Sequence, residues 1–227
     1  MKNNYKTVAL IVAGGQGKRM GRPKQFLKIA GKPMLEWTSA PFEKCRAIDA
    51  IILVVAKEAI GQAKRLRSAK IIKIVAGGKE RQDSVRHGLQ ALPAETEIVV
   101  IHDGARPAID VKTIAAAVEK TEKCGAVIVA VPVKDTIKKV SGQGEKLIIK
   151  ATLDRRLLWQ AQTPQVFKKK IILAAYQRLK SKITDEAMAV ERAGFPVAIL
   201  TGTPKNIKVT TPDDLLLMAA ILGTGGK

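Results

Sequence analysis

Short apolar runs alternate with helical patterns along the chain, and this alternation limits its possible folds more than any other feature. The runs predict five buried strands, Thr7–Val12, Ile51–Val55, Ile71–Val75, Ile98–Ile101 and Ala126–Val131. The segments between them predict four helices, Pro33–Cys45, Glu58–Ser68, Arg81–Leu92 and Val111–Cys124. Such an order is typical of an α/β fold with a doubly wound, mostly parallel sheet. Ligands of these sheets bind beyond the carboxyl ends of the strands.

The pattern changes after Pro132. Residues 133–151 predict a β-hairpin around the turn at Ser141–Gly144. The hairpin has too few apolar residues for a core element, so we expect residues 133–155 to project as an arm that packs on a second subunit. The whole chain, residues 1–227, is otherwise predicted to form one domain. Its later elements are expected to be a loop at Thr163–Gln165, helices over Lys169–Leu179, from Thr184 and over Asp213–Leu222, and strands Val197–Leu200 and Ile207–Val209.

A glycine-rich and strongly basic loop follows the first predicted strand. Three glycines lie in the run Ala13-Gly14-Gly15-Gln16-Gly17, where glycine lets backbone N–H groups approach an anion closely. Four cations then fall within seven positions: Lys18, Arg19, Arg22 and Lys24. This combination predicts a binding site for a nucleoside triphosphate.

The same loop matches neither of the two common phosphate loops. A dinucleotide fingerprint that starts at Gly15 would need glycine where Met20 stands, and no acidic residue closes the strand Ile51–Val55 to bind a ribose. The Walker A pattern is also absent from the sequence. A nicotinamide-dependent protein is therefore disfavoured.

Two further polar segments follow predicted strands. In the first, two glycines precede Lys79-Glu80-Arg81, and Ser84 falls in the first turn of the next helix, which is suited to a base and ribose pocket. In the second, Asp103 ends a hydrophobic strand, where a carboxylate can hold a hard cation or a substrate hydroxyl. Arg106 can bind a phosphate or a diol, and we expect His102 to be a structural hydrogen-bonding residue rather than a base.

The charge and the cysteines limit the class of partner. A net charge of +20 favours anionic partners, but lysines are spread along the chain and aromatic residues are only 4% of it, so nucleic acid is not the expected partner. A basic nucleic-acid-binding module stays open as the non-enzyme alternative. Two isolated cysteines predict no disulfide framework. With no signal peptide and no apolar run of about 18 residues, we expect a cytoplasmic protein without membrane association.

Eight segments together resemble one enzyme family. In chain order they are AGGQGKRM, PKQF, AGGKERQDSV, HDGARP, VPVKDTIK, LDRRLLWQAQTPQ, TDEA and NIKVTTPDDL. Their order and spread are similar to the 2-C-methyl-D-erythritol 4-phosphate cytidylyltransferases of the non-mevalonate isoprenoid pathway. Members transfer CMP from CTP to methylerythritol phosphate, release pyrophosphate and use Mg²⁺. The resemblance implies a nucleotide-diphospho-sugar transferase-like, Rossmann-like sheet and a homodimer.

The resemblance also implies roles for residues on the nucleotide side. Arg19 and Lys24 would grip the triphosphate and stabilise charge on the α-phosphate in the transition state, a task that Lys208 would share as a third catalytic cation. Backbone atoms of the first loop would line the nucleotide, while Gly78 and Ser84 would contact cytosine and ribose. The implied nucleotide-binding residues are Ala13, Gly14, Gly15, Gly78, Ser84 and Asp103.

On the acceptor side, the resemblance implies that Asp103 and Arg106 face the sugar phosphate or Mg²⁺, with Asp103 as the metal ligand. Thr136 and Arg155, at the two ends of the arm, would reach into the site of the other subunit and bind methylerythritol phosphate. Lys208 would complete the cage around the reacting phosphates.

Two positions depart from the family pattern. The interval from Arg19 to Lys24 is shorter than in the usual loop, so the path of Gly21-Arg22-Pro23 is not implied by the resemblance. Lys79 stands where an acidic residue is frequent. A related cytidylyltransferase that uses ribitol or ribulose 5-phosphate shares most of these motifs and is the alternative function.

Overall fold

The structure, a computed structural model, describes residues 5–15, 24–66, 68–144 and 146–223. These residues form eleven strands: β1 (Thr7–Ala13), β2 (Lys28–Ile29), β3 (Lys32–Pro33), β4 (Ala50–Val55), β5 (Ile71–Ala76), β6 (Ile98–Asp103), β7 (Ala126–Pro132), β8 (Lys138–Ser141), β9 (Ile148–Thr152), β10 (Trp159–Lys168) and β11 (Ala198–Thr201). They also form seven α-helices: α1 (Met34–Lys44), α2 (Ile60–Ala63), α3 (Arg81–Gln90), α4 (Val111–Cys124), α5 (Lys169–Gln177), α6 (Glu186–Arg192) and α7 (Pro212–Gly223). None of the helices described is long and apolar enough to cross a membrane.

Seven of the strands form one sheet in the order β11-β7-β10-β6-β1-β4-β5. Neighbouring strands are parallel except that β10 runs antiparallel to both β6 and β7. The strand β1 lies between β4 and β6. Its Val8 lies opposite Ala50 of β4, and its Val12 lies opposite Asp103 of β6. The mostly parallel α/β sheet predicted from the sequence is therefore confirmed.

Both faces of the sheet are covered by helices. Ala9 and Ile11 of β1 point into a cluster with residues of α1 and α4, while Val8 and Leu10 point into a second cluster with residues of α3, α5 and α6. All seven residues of β1 are buried, because successive side chains of a strand point to opposite faces and each face has its own helical layer. This two-sided burial explains why the strand sequence is a continuous apolar run.

Three of the predicted elements are wrong in part or in whole. Only the first half of Glu58–Ser68 is helical, as a short 3₁₀ turn followed by α2, which contains Gly61, a weak helix former. The Thr163–Gln165 loop is instead part of β10, where a register shift between Ala161 and Gln165 accommodates a proline that cannot donate to the ladder. Ile207–Val209 forms no strand with any of the described residues, and the N–H of Val209 donates to the carbonyl of Ala105 at the site edge.

The predicted hairpin is present as β8 and β9, which pair with each other in a separate two-stranded sheet. Large apolar side chains are exposed along this arm and its base: Val140, Leu147, Ile148, Ile149, Leu153, Leu157 and Trp159. A lone two-stranded hairpin is marginally stable in water. The arm therefore presents an apolar surface that the described part of this chain leaves uncovered.

Candidate active site

Three loops meet at the carboxyl ends of β1, β5 and β6 and surround a cleft of about 720 Å³. The strands run parallel, so the loops that follow them lie at the same edge of the sheet. The lining includes the residues predicted from the first loop, Ala13, Gly14 and Gly15, those of the second, Gly78 and Ser84, and Asp103 and Lys208. Loops that were predicted separately thus form one site.

The first two loops pack against each other through glycine. A Cβ added to Gly77 would lie 2.8 Å from the hydroxyl of Ser84 and 3.1 Å from the Cα of Gly14. One added to Gly14 would lie 2.9 Å from the same hydroxyl. Any larger residue would separate the loops, so their close approach requires glycine at both positions.

The hydroxyl of Ser84 holds the second loop in place. It accepts a hydrogen bond from the N–H of Gly78 at 3.0 Å and donates one to the carbonyl of Glu80 at 3.1 Å. A serine hydroxyl has one donor and two lone pairs, so one lone pair is left for a ligand. Contacts of Gly78 and Ser84 with cytosine or ribose stay a prediction, and Ser84 also shapes the loop itself.

A cluster of cations surrounds the carboxylate of Asp103. Nε of Arg81 donates to Oδ1 at 2.9 Å, and Nζ of Lys208 lies 2.8 Å from Oδ2. Nε of Arg106 lies farther away, 3.6 Å from Oδ2. Burial alone would raise the pKa of Asp103, but the charge of Arg81, followed by those of Lys208 and Arg106, outweighs it and holds this pKa well below its usual range. Asp103 is therefore ionised at neutral pH.

Arg106 is placed behind Asp103 rather than at the cleft. Its Nη1 donates to the backbone carbonyl of Asn206 at 2.8 Å, and its side chain is only 12% exposed. It is not among the residues that line the cleft. The guanidinium ties the segment before Lys208 to the end of β6, and its contact with the acceptor substrate stays a prediction.

Arg81 and Glu186 belong to the site, although no role was assigned to either from the sequence. Nη1 of Arg81 donates to both carboxylate oxygens of Glu186, at 2.6 and 2.7 Å, and the hydroxyl of Tyr176 donates to Glu186 at 3.2 Å. Both residues lie inside the segments AGGKERQDSV and TDEA. The two segments could have indicated that Arg81 and Glu186 belong near the site. They do not reveal that the two side chains form an ion pair.

His102 has both ring nitrogens engaged within the protein. Nε2 lies 3.1 Å from the carbonyl of Arg106, which can only accept, so Nε2 carries the proton and Nδ1 accepts from the hydroxyl of Thr163 at 2.9 Å. The same hydroxyl accepts from the backbone N–H of Asp103 at 3.1 Å. Burial lowers the pKa of His102 to about 4. The residue is a neutral structural link between β6 and β10, as the sequence predicts.

Thr136 and Arg155 lie at the base of the arm, away from the cleft of their own chain. Both are exposed, and Nη1 of Arg155 donates to the carbonyl of Lys134 at 2.6 Å. Neither lines the cleft. The structure of one chain therefore does not bring these two predicted acceptor-binding residues to the other predicted site residues.

Two predicted catalytic residues belong to the first loop. Arg19 lies outside the described residues, as does Gly21-Arg22-Pro23. Lys24 is the first residue of the 3₁₀ helix Lys24–Phe26. The next residue of this helix, Gln25, lines the cleft. The triphosphate roles of Arg19 and Lys24 stay predictions.

No group of three or more His, Cys, Asp or Glu side chains that could hold a metal ion occurs in the part of the chain that the structure describes. Asp103 is the buried carboxylate of the cleft, and both of its oxygens face cations. This donor set does not hold Mg²⁺ by itself. It suits an ion that takes most of its oxygen ligands from substrate phosphates and one from Asp103.

Comparison with known proteins places these features in a family. The sequence profile of 2-C-methyl-D-erythritol 4-phosphate cytidylyltransferase matches residues 7–224. The chain is 45% identical to the protein of that name from Alkaliphilus metalliredigens, covering 96% of this chain and 93% of the relative. It is also 45% identical to the one from Dehalococcoides mccartyi, covering 98% of each.

Solved structures agree with the sequence comparison. The chain is similar to 4-diphosphocytidyl-2C-methyl-D-erythritol synthase from Anaerococcus prevotii, with a TM-score of 0.86, 31% identity and 97% coverage of both chains. The Francisella tularensis 2-C-methyl-D-erythritol 4-phosphate cytidylyltransferase gives a TM-score of 0.80 at 30% identity, covering 95% of this chain and 99% of that one. On the profile match, the full-length identity and the fold, the chain belongs to the 2-C-methyl-D-erythritol 4-phosphate cytidylyltransferase family.

Proposed function

We propose that the chain transfers CMP from CTP to 2-C-methyl-D-erythritol 4-phosphate, giving 4-diphosphocytidyl-2-C-methyl-D-erythritol and pyrophosphate in isoprenoid precursor biosynthesis. The observation that carries this function is the family match over residues 7–224. The cleft supports it, because it combines glycine loops for a nucleotide with cations for phosphates.

The chemistry is a displacement at phosphorus. An oxygen of the acceptor phosphate attacks the α-phosphorus of CTP, a new P–O bond forms, and the bond to the β-phosphate bridging oxygen breaks to release pyrophosphate. The attacking phosphate is already ionised at neutral pH, so no general base is needed. This agrees with the state of His102, the neighbour of Asp103, which is buried, neutral and hydrogen-bonded through both ring nitrogens.

The protein contributes position and charge. Gly14, Gly15, Gly78 and Lys208 all line the cleft. In this proposal the glycine backbones contact the nucleotide and Lys208 contacts the phosphates. Negative charge grows on the oxygens around phosphorus during the transfer, and fixed cations stabilise it more than they stabilise the bound substrate. Arg19 and Lys24 add to this charge in the proposal.

Mg²⁺ is the proposed cofactor. It would be carried by the phosphates of CTP and touch the protein through Asp103, and it would neutralise charge on the departing pyrophosphate. The low pKa of Asp103, which its neighbouring cations maintain against burial, keeps the carboxylate available as a ligand.

A homodimer with shared sites is the proposed assembly. The exposed apolar side chains of the arm, such as Ile148 and Leu157, support burial against a second copy. Thr136 and Arg155 would then complete the cleft of the other subunit and bind the acceptor. Sharing of sites would explain why Thr136 and Arg155 do not line the cleft of their own chain.

A reducing, cytoplasmic setting without nucleic-acid partners is also proposed. Cys45 and Cys124 are both free thiols, the first buried and the second exposed, which supports a reducing compartment. Arg81 and Lys208 line a cleft of the size of a small ligand, which supports a small anionic substrate over nucleic acid.

Pyrophosphate release with CTP and a panel of acceptors tests the function. Methylerythritol, ribitol and ribulose phosphates are supplied at equal concentrations, and kcat/KM is compared. Methylerythritol phosphate is expected to be preferred by at least about tenfold, the scale of discrimination that one altered substrate contact gives. A preference for ribitol or ribulose phosphate would assign the alternative function, and no release with any acceptor would contradict cytidylyl transfer.

A further inference from the structure

The carboxylate of Glu186 is completely buried beside the cleft, and the transfer chemistry does not itself require it. Its oxygens accept two hydrogen bonds from Nη1 of Arg81 and one from the hydroxyl of Tyr176. Burial, followed by the charge of Glu186, raises the pKa of the Tyr176 phenol, so the phenol is a permanent donor. Glu186 thus has an arginine as its ionic partner and a phenol as a further donor.

Stability alone does not explain this pair. Removing two charges from water costs several kcal/mol for each ion, and buried pairs replaced by apolar residues often leave a protein equally stable or more stable. The pair fixes the orientation of the Arg81 side chain, because the planar guanidinium presents its donors at set angles. The effect of the pair is therefore on the hydrogen bond from Nε of Arg81 to Asp103.

Arg81 bridges two carboxylates that come from different parts of the chain. Its Nε donates to Asp103 at the end of β6, and its Nη1 donates to Glu186 at the start of α6. Lys208, by contrast, has Asp103 as its one ionic partner among the residues described, and its side chain is 37% exposed. One of the two close cations on Asp103 is therefore anchored by a second carboxylate, whereas the other has no second ionic partner among the described residues.

We propose that Glu186 is a positioning residue for the transfer reaction, which holds Arg81 on Asp103 so that Lys208 can leave Asp103 for a substrate phosphate. When Lys208 moves, Asp103 keeps a close countercharge in Arg81 and needs no rearrangement. Arg106 is a weaker countercharge than Arg81, because its Nε lies 3.6 Å from Oδ2 and its Nη1 donates to the carbonyl of Asn206. The inference rests on the proposed function.

Removal of the Glu186 charge should lower turnover without weakening the binding of CTP. In Glu186→Gln, Arg81 loses its ionic anchor and becomes available to the triphosphate in the ground state, while the local charge becomes more positive. CTP should therefore bind as tightly as in the wild type or more tightly. The kcat should fall by about tenfold or more, the size typical of coupling within an ion-pair network.

Steady-state kinetics on the full-length protein, with KM for CTP and kcat measured separately, provide the test. A fall in kcat with an unchanged or lower KM supports the proposal. An unchanged kcat overturns it, and so does a fall in kcat with a matching rise in KM, because that result describes a disrupted pocket. Tyr176→Phe is the matched control: it removes one hydrogen bond to Glu186, leaves Arg81 anchored, and should keep kcat within about threefold of wild type.

A second variant keeps the test decisive if Glu186→Gln does not fold. Arg81→Lys retains the positive charge but cannot bridge two carboxylates, so it should show the same fall in kcat without a rise in KM. The double variant, Glu186→Gln with Arg81→Lys, should have the same kcat as Arg81→Lys alone, because Glu186 acts through Arg81. If the two falls in kcat multiply in the double variant, the proposal is overturned. If the wild type shows no CMP transfer, the proposed function fails. The inference about Glu186 is then tested by calorimetric binding of CTP to the wild type and to Glu186→Gln. Weaker binding by the variant would contradict the inference.

Discussion

The ammonium group of Lys208 lies 2.8 Å from Oδ2 of Asp103, although the two residues come from distant parts of the sequence. Asp103 ends the buried strand β6, and Lys208 lies on a segment outside the helices and strands that is held by a hydrogen bond from the N–H of Val209 to the carbonyl of Ala105. The carboxylate therefore holds a cation at the cleft before any phosphate arrives. This pre-positioning is the basis for the first prediction.

Lys208→Ala should lower kcat by about 10² to 10³, the usual effect of removing one fixed group that stabilises transition-state charge. Thermal unfolding should change little, because the lysine is partly exposed and its partner Asp103 keeps Arg81. Pyrophosphate release and a thermal melt measure the two quantities. Lys205→Ala, an exposed lysine on the same segment, is the matched control and should retain near-normal turnover. Near-normal kcat in folded Lys208→Ala would exclude the assigned role.

Gly78→Ala should destabilise the protein by about 1 to 3 kcal/mol, the usual cost of overpacking. The added Cβ would overlap the Cβ of Asp83, whose carboxylate accepts from the N–H of Glu80 in the capping box of α3. Gly15→Ala is the matched substitution on the opposite loop, where an added Cβ meets no atom of the described residues within 4 Å. Urea unfolding of both variants measures the difference. Equal stability of the two variants would show that the second loop adapts to the extra methyl group.

Acid should destabilise the protein through His102. The free energy of unfolding should decline as the pH falls from about 6.5 toward 4, because the unfolded chain takes up a proton on this histidine while burial keeps the folded imidazole neutral, with a pKa of about 4. The contribution is complete above about pH 6.5, and its full loss amounts to about 3 kcal/mol. Asp103, with its lowered pKa, adds a loss of the same sign only below about pH 4.

Urea titrations at several pH values compare the wild type with His102→Gln, which cannot titrate. The variant should be less stable at neutral pH, since it loses the hydrogen bonds to Thr163 and Arg106, but its stability should depend less on pH. Parallel pH profiles for the two proteins would contradict the assignment of this acid sensitivity to His102.

Mixed dimers should recover activity if the arm completes the cleft of the partner. Lys208→Ala damages the cleft and Arg155→Ala damages the arm, so a dimer with one subunit of each kind contains one intact site. Random mixing should restore about a quarter of wild-type activity, because about half of the dimers are mixed and half of their sites are intact. Mixing Arg155→Ala with Thr136→Ala should restore nothing, since both defects lie in the arm. No recovery in purified mixed dimers would refute site sharing.

Chelation should abolish turnover if Mg²⁺ travels with CTP. Among the described residues there is no cluster that would retain a metal ion, so EDTA should act at once, without a slow phase of metal loss. Restoring Mg²⁺ in excess should recover full activity. Turnover that persists in EDTA would remove the metal from the mechanism.

The sequence predicted the sheet well where strands are covered on both faces. β1 and β4 are continuous apolar runs because each packs under two helical layers, so their composition identifies them without knowledge of their neighbours. Prediction was wrong at Thr163–Gln165 because proline normally ends a strand, and only the register shift against β7 lets β10 pass through it. It was also wrong at Ile207–Val209, because an apolar run becomes a strand only when a sheet edge is available to it.

The sequence by itself determined the fold class, the family resemblance and the three loops that would meet at one edge of the sheet, since parallel strands place their carboxyl ends together. Only the tertiary structure decided which charged groups share that edge. Arg81 contacts Asp103 and Glu186 across 22 and 105 residues of sequence, and Arg106 contacts the carbonyl of Asn206 across 100 residues. The reason is physical: periodicity encodes which side of an element is buried, whereas ion pairing between distant segments depends on strand order, helix packing and the geometry of each side chain.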